Sequence, residues 1–472
     1  MIEIFAHRIY FFFESGIIFY VFLINTIYLF LTVLAYYSLR KDHDSFSTPE
    51  QNSILQSPLA PAIAIIAPAY NEAASIKESV NGMLKLSYPD LEVIVVNDGS
   101  KDETLEILIR EFRLYLSARA VPSTLATQPI RAIYESREPI RLLVLDKVNG
   151  GKADSINAGL NAATSKLVMV CDSDTIIERD GLLQLVKPYM EDPDRVIAVG
   201  GSVRAVNDCD VEHGRVTTIR MPSSMIANFQ AVEYLRAFLG GRVGFSFLNS
   251  LLIISGAFGL FRLDAILEAG GFQTDSVGED MEIIVRLHKF WRERKRKYKI
   301  VFMAAPVCWT EVPQTLKILR RQRKRWQRGT VESLWQHREM LLNPKFGIVG
   351  MFAFPYFFFF EMMGPAVEIL GYFLTIVGIV FGIIAPEIAI LFFSVSIMFG
   401  ILLSTSSVVL EEFTSIRYPS WKHSGKLFMA AILENFGFRQ LLTWWRVEGL
   451  IDGLKGKKGN WGAMERRGFK KA

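Results

Sequence analysis

Leu167-Val168-Met169-Val170-Cys171-Asp172-Ser173-Asp174 is the stretch on which the fold turns. An apolar run ends directly at two carboxylates spaced i and i+2. A run this short, bounded by polar residues, reads as a strand buried on both faces. Ala62 to Ala67, Val93 to Val96 and Leu142 to Leu145 repeat the pattern, and each ends at a polar motif. Helical stretches intervene over 74–86 and 103–117. This alternation across residues 61–310 predicts an α/β domain with a parallel sheet. In such sheets ligands gather at the carboxyl ends of the strands.

The rest of the chain is apolar. Half of the 472 residues are hydrophobic, Phe alone contributes 35, and only 21% are charged, a balance that suits a membrane protein carrying a polar domain. Residues 17–39 form an apolar run long enough for a bilayer of roughly 30 Å. It is too long for a signal-peptide core and ends in bulky Tyr36 and Tyr37, so it reads as an anchor. Arg40 and Lys41 follow at once and place that side in the cytoplasm. Residues 42–60, with Pro49 and Pro58, read as a linker. Between 346 and 410 the only charged residues are Glu361, Glu368 and Glu387, which fits three spans. A fourth is expected over 425–445, although Glu434, Asn435 and Arg439 there must face protein or a watery path. Pro355 leaves 346–363 open to being an interfacial or re-entrant segment. The basic tail, 447–472, belongs in the cytoplasm by the same charge rule.

The net charge of +5 gives no reason to expect a nucleic-acid partner. Three scattered cysteines, Cys171, Cys209 and Cys308, supply neither a disulfide framework nor a zinc site. Two stretches, Arg286 to Lys299 and Arg320 to Arg328, are dense in Lys and Arg. They suit a face near phosphates or lipid headgroups; a solvated helix surface is the simpler alternative for the first.

Several polar motifs punctuate the α/β region in order. Pro68-Ala69-Tyr70-Asn71-Glu72 follows the first strand and Asn97-Asp98-Gly99-Ser100 the second; Asp98 or Ser100 would equally serve as a helix N-cap. Asn149-Gly150-Gly151-Lys152 has glycines that admit a ligand close to the backbone and a lysine suited to a diphosphate, though a plain turn has the same composition. It lacks the spacing of a Walker loop. Asp172 and Asp174 can address one hard divalent cation, or form an Asx-turn. Ser255-Gly256-Ala257-Phe258-Gly259 interrupts an apolar stretch, either as a ligand loop or for close helix packing. Gly278-Glu279-Asp280 heads a helix, where acidic residues also serve the helix dipole. Gln322-Arg323-Lys324-Arg325-Trp326 lies on an amphipathic helix predicted over 313–337. Gln322 and Trp326, at i and i+4, share one face of it.

Taken together, these motifs over roughly residues 60–330 resemble the processive inverting membrane glycosyltransferases of family 2: cellulose, chitin, hyaluronan and poly-N-acetylglucosamine synthases. The resemblance implies an α/β nucleotide-diphospho-sugar transferase domain, the A-type glycosyltransferase fold, inserted between transmembrane helices. It implies a domain order of anchor (1–41), linker (42–60), cytosolic transferase (61–310), interface helix (311–345), channel helices (346–446) and tail (447–472). The roles it carries over place Glu72, Asp98, Lys152, Asp172 and Arg325 on a UDP-sugar donor. Asp174 would bind Mg2+ or Mn2+, and Asp280 would be the catalytic base. Gln322, Trp326, Ser255 and Glu279 would lie on the acceptor side. The flanking Arg321, Arg323, Lys324 and Arg328 would face the membrane surface.

The implied function is polymerisation of UDP-N-acetylglucosamine or UDP-glucose into an extracellular β-glycan, with export through the helices. The Ser255–Gly259 form leans towards N-acetylglucosamine. The expected partners are the donor, the growing glycan, the bilayer of the cell membrane and, for regulation, an accessory subunit. Two alternatives stay open: a non-processive transferase to a polyprenyl phosphate or glycolipid, and a catalytically dead glycan-binding or export protein.

Overall fold

Four parallel strands form the centre of the sheet: Leu142–Lys147, Leu91–Asn97, Ile63–Ala69 and Leu167–Val170 lie side by side in that order. Their apolar residues are almost fully buried, as expected where helices cover both faces of a parallel sheet. The register aligns Ala69 with Asn97 and Asn97 with Asp146, so the polar motifs that follow converge on one edge. Gly259–Arg262 inserts antiparallel beside Leu167–Val170 and leads to Val196–Ala205, which pairs in parallel with the long strand Lys299–Thr310. The fold is therefore of the α/β class expected, though the sheet is mixed at its flanks and not parallel throughout. The structure is a computed structural model and describes residues 2–43, 55, 57, 59–137, 141–212, 214–414 and 421–456. Most of the linker expected over 42–60, and the tail lysines and arginines from Lys457 onward, lie outside the described residues.

Local chemistry shortens some expected elements. The helix expected over 103–117 is Thr104–Glu111. Arg113 adopts a left-handed φ of 50°, and the Leu114 N–H donates to the Ile109 carbonyl at 3.0 Å. That six-to-one bond ends the helix and releases Tyr115–Leu116 into a strand. The interface helix runs Leu316–Gln336, and the Thr315 side chain accepts from the Ile318 N–H at its start. All three cysteines are free and buried.

Among the described residues, two helices are long and apolar enough to cross a membrane, Tyr10–Arg40 and Pro386–Glu411. Their exposed residues are large and apolar, such as Phe12, Phe19, Phe22, Ile390, Leu391 and Met398. The structure departs from the expected four spans after the α/β domain. Val349–Met362 and Gly364–Val380 meet at a bend of 46°, one broken span or a re-entrant segment. The first of these has π-helical turns on both sides of Phe354–Tyr356. Pro355 lacks the N–H that a regular helix needs there. The stretch 425–445 is not one span but parts of two helices, Trp421–Leu433 and Phe438–Leu454. Glu434 and Asn435 sit buried at the break, where an unbroken apolar helix would have put them towards lipid. The second helix carries the chain past the point where a basic tail was expected to begin.

One buried group ties the site's approach to the α/β domain. The His288 ring bridges the Leu251 carbonyl, 2.8 Å from Nε2, and the Tyr298 hydroxyl, 2.6 Å from Nδ1. The Arg292 Nε donates to the same hydroxyl at 2.9 Å. Tyr298 therefore donates to Nδ1, and Nε2–H donates to Leu251. Burial lowers the His288 pKa from 6.5 to about 3. Between those values the unfolded chain binds a proton that the folded chain refuses, so stability falls as pH drops. The expected slope is at most about 1.4 kcal/mol per pH unit below pH 6.5. Thermal unfolding from pH 7 to 5 should show this decline in the parent protein and a flatter profile in His288→Gln.

Candidate active site

The strand-end loops are laced together before any ligand is considered. Asn71 takes a left-handed φ of 55°, and its side-chain carbonyl accepts from the Lys101 N–H at 2.8 Å. The Ser100 hydroxyl accepts from the Asn71 N–H at 3.0 Å, and Thr104 from the Glu72 N–H at 2.9 Å. The Glu72 carboxylate, which accepts from the Ser75 hydroxyl at 2.9 Å, lines a large cavity together with Tyr70 and Asn71.

Asp98 sits differently from the expectation that it contacts a nucleotide. It is buried and is not among the residues lining the cavity. One carboxylate oxygen accepts from Lys147 Nζ at 2.6 Å and the Gly150 N–H at 2.9 Å. The other accepts from Asn149 Nδ2 at 3.0 Å and the Gly151 N–H at 2.8 Å. Four donors use the acceptor capacity of the carboxylate. Asp98 therefore shapes the loop 149–151, where Gly151 takes a φ of 90°, and delivers Lys152 at the start of its helix. Lys147, fully buried and also paired with Asp154 at 2.6 Å, was not singled out from the sequence. Its signal was a lysine two residues after the apolar run Leu142 to Leu145, with Asp146 between.

Lys152 is the hub of the site. Its ammonium lies 2.7 Å from Asp172, 3.1 Å from Glu279 and 3.4 Å from the Gly256 carbonyl. Burial works against the charge, but the Asp172 and Glu279 carboxylates outweigh it and hold the Lys152 pKa above the usual lysine value. Burial also raises the Glu279 pKa, with Lys152 opposing. Glu279 thus reaches the lysine next to the acidic pair, and it also lines the cavity beside Asp280.

Asp280 lines the cavity, its carboxylate held by the Gly256 N–H at 3.2 Å and its own helix at the Met281 N–H, 2.9 Å. Ser255 lines the cavity one residue before Gly256. Asp172 and Asp174 line it too. No cluster of three or more His, Cys, Asp or Glu side chains suited to a metal exists among the described residues. Two hard carboxylates facing a cavity nevertheless fit Mg2+ or Mn2+, which take one or two carboxylates and complete their shell with substrate phosphates.

Gln322, Arg325 and Trp326 all line the same cavity, so the helix Leu316–Gln336 does present them together. Trp326 remains 41% exposed, with the Arg323 guanidinium 4.4 Å from its ring and Tyr234 at 6.5 Å between centroids. Of the cations expected at the membrane surface, Arg321 is exposed, while the other three meet protein carboxylates. Arg323 makes a two-pronged pair with Glu233 at 2.8–2.9 Å, and Arg328 pairs with Glu332 at 2.6 Å. Lys324 meets Glu448 and Asp452 at 3.3 and 3.1 Å, and Arg320 also takes Glu448. Glu233 comes from one neighbouring helix and Glu448 with Asp452 from another, so these pairs clamp the helix within the protein, whereas the Arg328–Glu332 pair lies within the helix itself.

Another contact was invisible from spacing. Gly278, at the head of the Asp280 helix, touches Gly329 of the interface helix backbone to backbone. A Cβ on either would lie 2.7 Å from the other's Cα. The Ser333 hydroxyl donates to the Gly278 carbonyl at 3.4 Å, and Glu332 accepts from the Val277 N–H at 2.9 Å. The acidic motif and the tryptophan helix are thereby fixed relative to each other.

Residues 61–329 match the model of a glycosyltransferase-like family 2, more than half of the chain. The chain belongs to this family. Residues 276–447 also match a chitin synthase model. A poly-β-1,6-N-acetyl-D-glucosamine synthase of Staphylococcus epidermidis is 29% identical over 273 residues, 58% of this chain and 55% of that protein. One of Staphylococcus aureus (strain COL) is 28% identical over 343 residues, 72% and 68%. The chain thus spans about half the length of the first of these relatives. A mannosyltransferase of Pyrobaculum calidifontis, solved with GDP-Man and Mn2+, covers 91% of the chain and 99% of its own at 17% identity. Its TM-score is 0.47, too low to carry an argument.

The glycine contact makes a direct test. Gly329→Ala forces the two backbones apart, an overpacking cost of about 1–3 kcal/mol. Its melting temperature in detergent or lipid should fall by several degrees, whereas Thr330→Ala, one residue on, should leave it nearly unchanged.

Proposed function

We propose that this protein is a membrane-embedded processive β-glycosyltransferase that polymerises UDP-N-acetylglucosamine and passes the glycan across the membrane. The observation that carries this reading is the continuity of one cavity of about 1150 Å³. It begins at Asp172 and Asp174, passes Asp280 and Trp326, and ends among membrane-helix residues such as Tyr20, Phe392 and Ser396. A transferase that releases a small product has no need of a reaction chamber opening into its apolar helices. The identity to poly-N-acetylglucosamine synthases favours that sugar over glucose.

In this reading the donor lies along the strand ends, with Glu72 on its nucleoside, and Lys152 and Arg325 on its diphosphate. Asp172 orients the donor sugar, and Asp174 is the protein ligand of the divalent ion. Mg2+ or Mn2+, when bound, offsets the charge that develops on departing UDP. Asp280 takes the proton of the acceptor hydroxyl as its oxygen attacks the anomeric carbon. The bond from that carbon to the diphosphate oxygen breaks, and UDP leaves with the electron pair. Attack opposite the leaving group inverts an α-linked donor into a β-linked product. Trp326 offers its exposed ring to the acceptor sugar, with Gln322 and Ser255 beside it. The catalytic domain would face the cytosol, with the chain crossing the membrane several times. An accessory subunit belongs to this proposal only as a source of regulation.

The test is UDP release by the full chain in lipid nanodiscs. UDP-N-acetylglucosamine and UDP-glucose are supplied separately, with Mg2+, Mn2+ or EDTA. Metal-dependent release giving a long polymer from the N-acetylated donor is expected. Asp280→Asn should lower the rate by about 10²–10⁴-fold, the usual weight of a positioned base. Unchanged release by that variant would overturn the base assignment. A short lipid-linked product would overturn processivity.

A further inference from the structure

The helix Met225–Leu235 passes without a break into a π-helical segment, Arg236–Arg242. Such segments are rare and concentrate at functional sites. Tyr234, Phe238 and Arg242 recur every fourth residue along it, and all three line the cavity. The Arg242 guanidinium lies 4.1 Å from the centre of the Phe238 ring and 6.0 Å from that of Phe302. Among the described residues it makes no hydrogen bond and no ion pair, and its Nη1 is buried without a partner. Three other cavity arginines are paired with carboxylates: Arg236 with Glu434, Arg323 with Glu233 and Arg446 with Glu361.

A second polar group at the same wall is also unsatisfied. Gln322 is 8% exposed, lines the cavity, and its side-chain carbonyl has no hydrogen-bond partner among the described residues. Buried polar groups left unpaired are costly and uncommon, and a ligand is the ordinary way to satisfy them. Their surroundings say which ligand. Tyr234, one helical turn from Phe238, packs against Trp326, and Arg242 interacts electrostatically with Asp280. Lys152, by contrast, is the cation that pairs with Asp172. Arg242 therefore belongs to the acceptor end and not to the diphosphate.

Resting on the transferase reading above, we propose that Arg242 is an acceptor-binding residue. It donates hydrogen bonds to an uncharged oxygen of the terminal sugar, while the Gln322 carbonyl accepts one of that sugar's hydroxyl or amide protons. Burial pulls the Arg242 pKa down to about 10, so it stays cationic at neutral pH. A fixed cation at this place favours a neutral N-acetylated terminus, whose acetamido oxygen is a good acceptor. It disfavours a de-N-acetylated terminus, whose ammonium has no lone pair and carries like charge.

The experiment measures UDP release by the full chain in nanodiscs at saturating UDP-N-acetylglucosamine. Soluble β-linked glucosamine oligosaccharides are titrated in, either fully N-acetylated or de-N-acetylated. The parent protein should prefer the neutral acceptor. Arg242→Gln should raise its acceptor KM by about tenfold or more, the weight of a charge-assisted hydrogen bond, and narrow the preference. Arg242→Lys should retain the preference with a raised KM, because it keeps the charge and loses the fork. UDP affinity, read by calorimetry, should be unchanged in both. Weakened UDP binding would place Arg242 on the donor and overturn the proposal, as would an unchanged acceptor KM. Equal use of both acceptors by the parent protein overturns it without any variant. A parent protein that releases no UDP with either acceptor instead defeats the transferase reading itself.

Discussion

The site is organised around one buried ammonium, that of Lys152. It draws Asp172 from the end of a central strand and Glu279 from the head of a distant helix to within 3.1 Å. Glu279 is buried and needs this counter-charge, and a single lysine can serve both carboxylates only if it is delivered to the right point. Delivery is the task of Asp98, whose four accepted hydrogen bonds set the shape of the preceding loop. The chain of dependence runs from Lys147 to Asp98, to the glycine loop, to Lys152, and so to both carboxylates. Asp280, next to Glu279, inherits its position from that chain.

The other wall of the chamber is held by packing. Gly278 and Gly329 bring two helices into backbone contact, and no larger residue fits at either position. Around that point the interface helix is clamped by acidic side chains from its flanks, Glu233 on one and Glu448 with Asp452 on another. Trp326 and Gln322 are presented to the cavity by a rigid helix, which is the condition for holding a sugar at a defined distance from Asp280.

On the membrane side, charge is buried in pairs. Glu434 accepts from Arg236 and from the Ser404 hydroxyl, and Arg204 of the sheet pairs with Glu411 at the end of the span Pro386–Glu411. These contacts join the α/β domain to the helices without exposing an ion to hydrocarbon. They also explain why Glu434, Asn435 and Arg439 interrupt an apolar stretch: there the chain breaks between two helices instead of crossing in one.

The sequence by itself determined the α/β class, the order of the strands along the chain, the anchor and the set of motifs at the strand ends. Those features are local, since apolar runs, turn residues and hydropathy depend on neighbours only a few positions apart. It also brought Asp172, Asp280 and Trp326 together as candidates: the first follows a strand, the second heads a helix, and the third shares a helix face with Gln322 within a recognisable motif. Only the tertiary structure decided what each side chain meets. It turned Asp98 inward to a lysine that had drawn no notice, gave Glu279 to Lys152, and spent Arg323, Lys324 and Arg328 on protein carboxylates. It left Arg242 without a hydrogen bond or ion pair among the described residues, and it broke the last apolar stretch at Glu434. Each of these outcomes depends on groups tens to hundreds of residues away. The energy of a buried charge is set by the partner within about 4 Å, a distance that residue order does not encode.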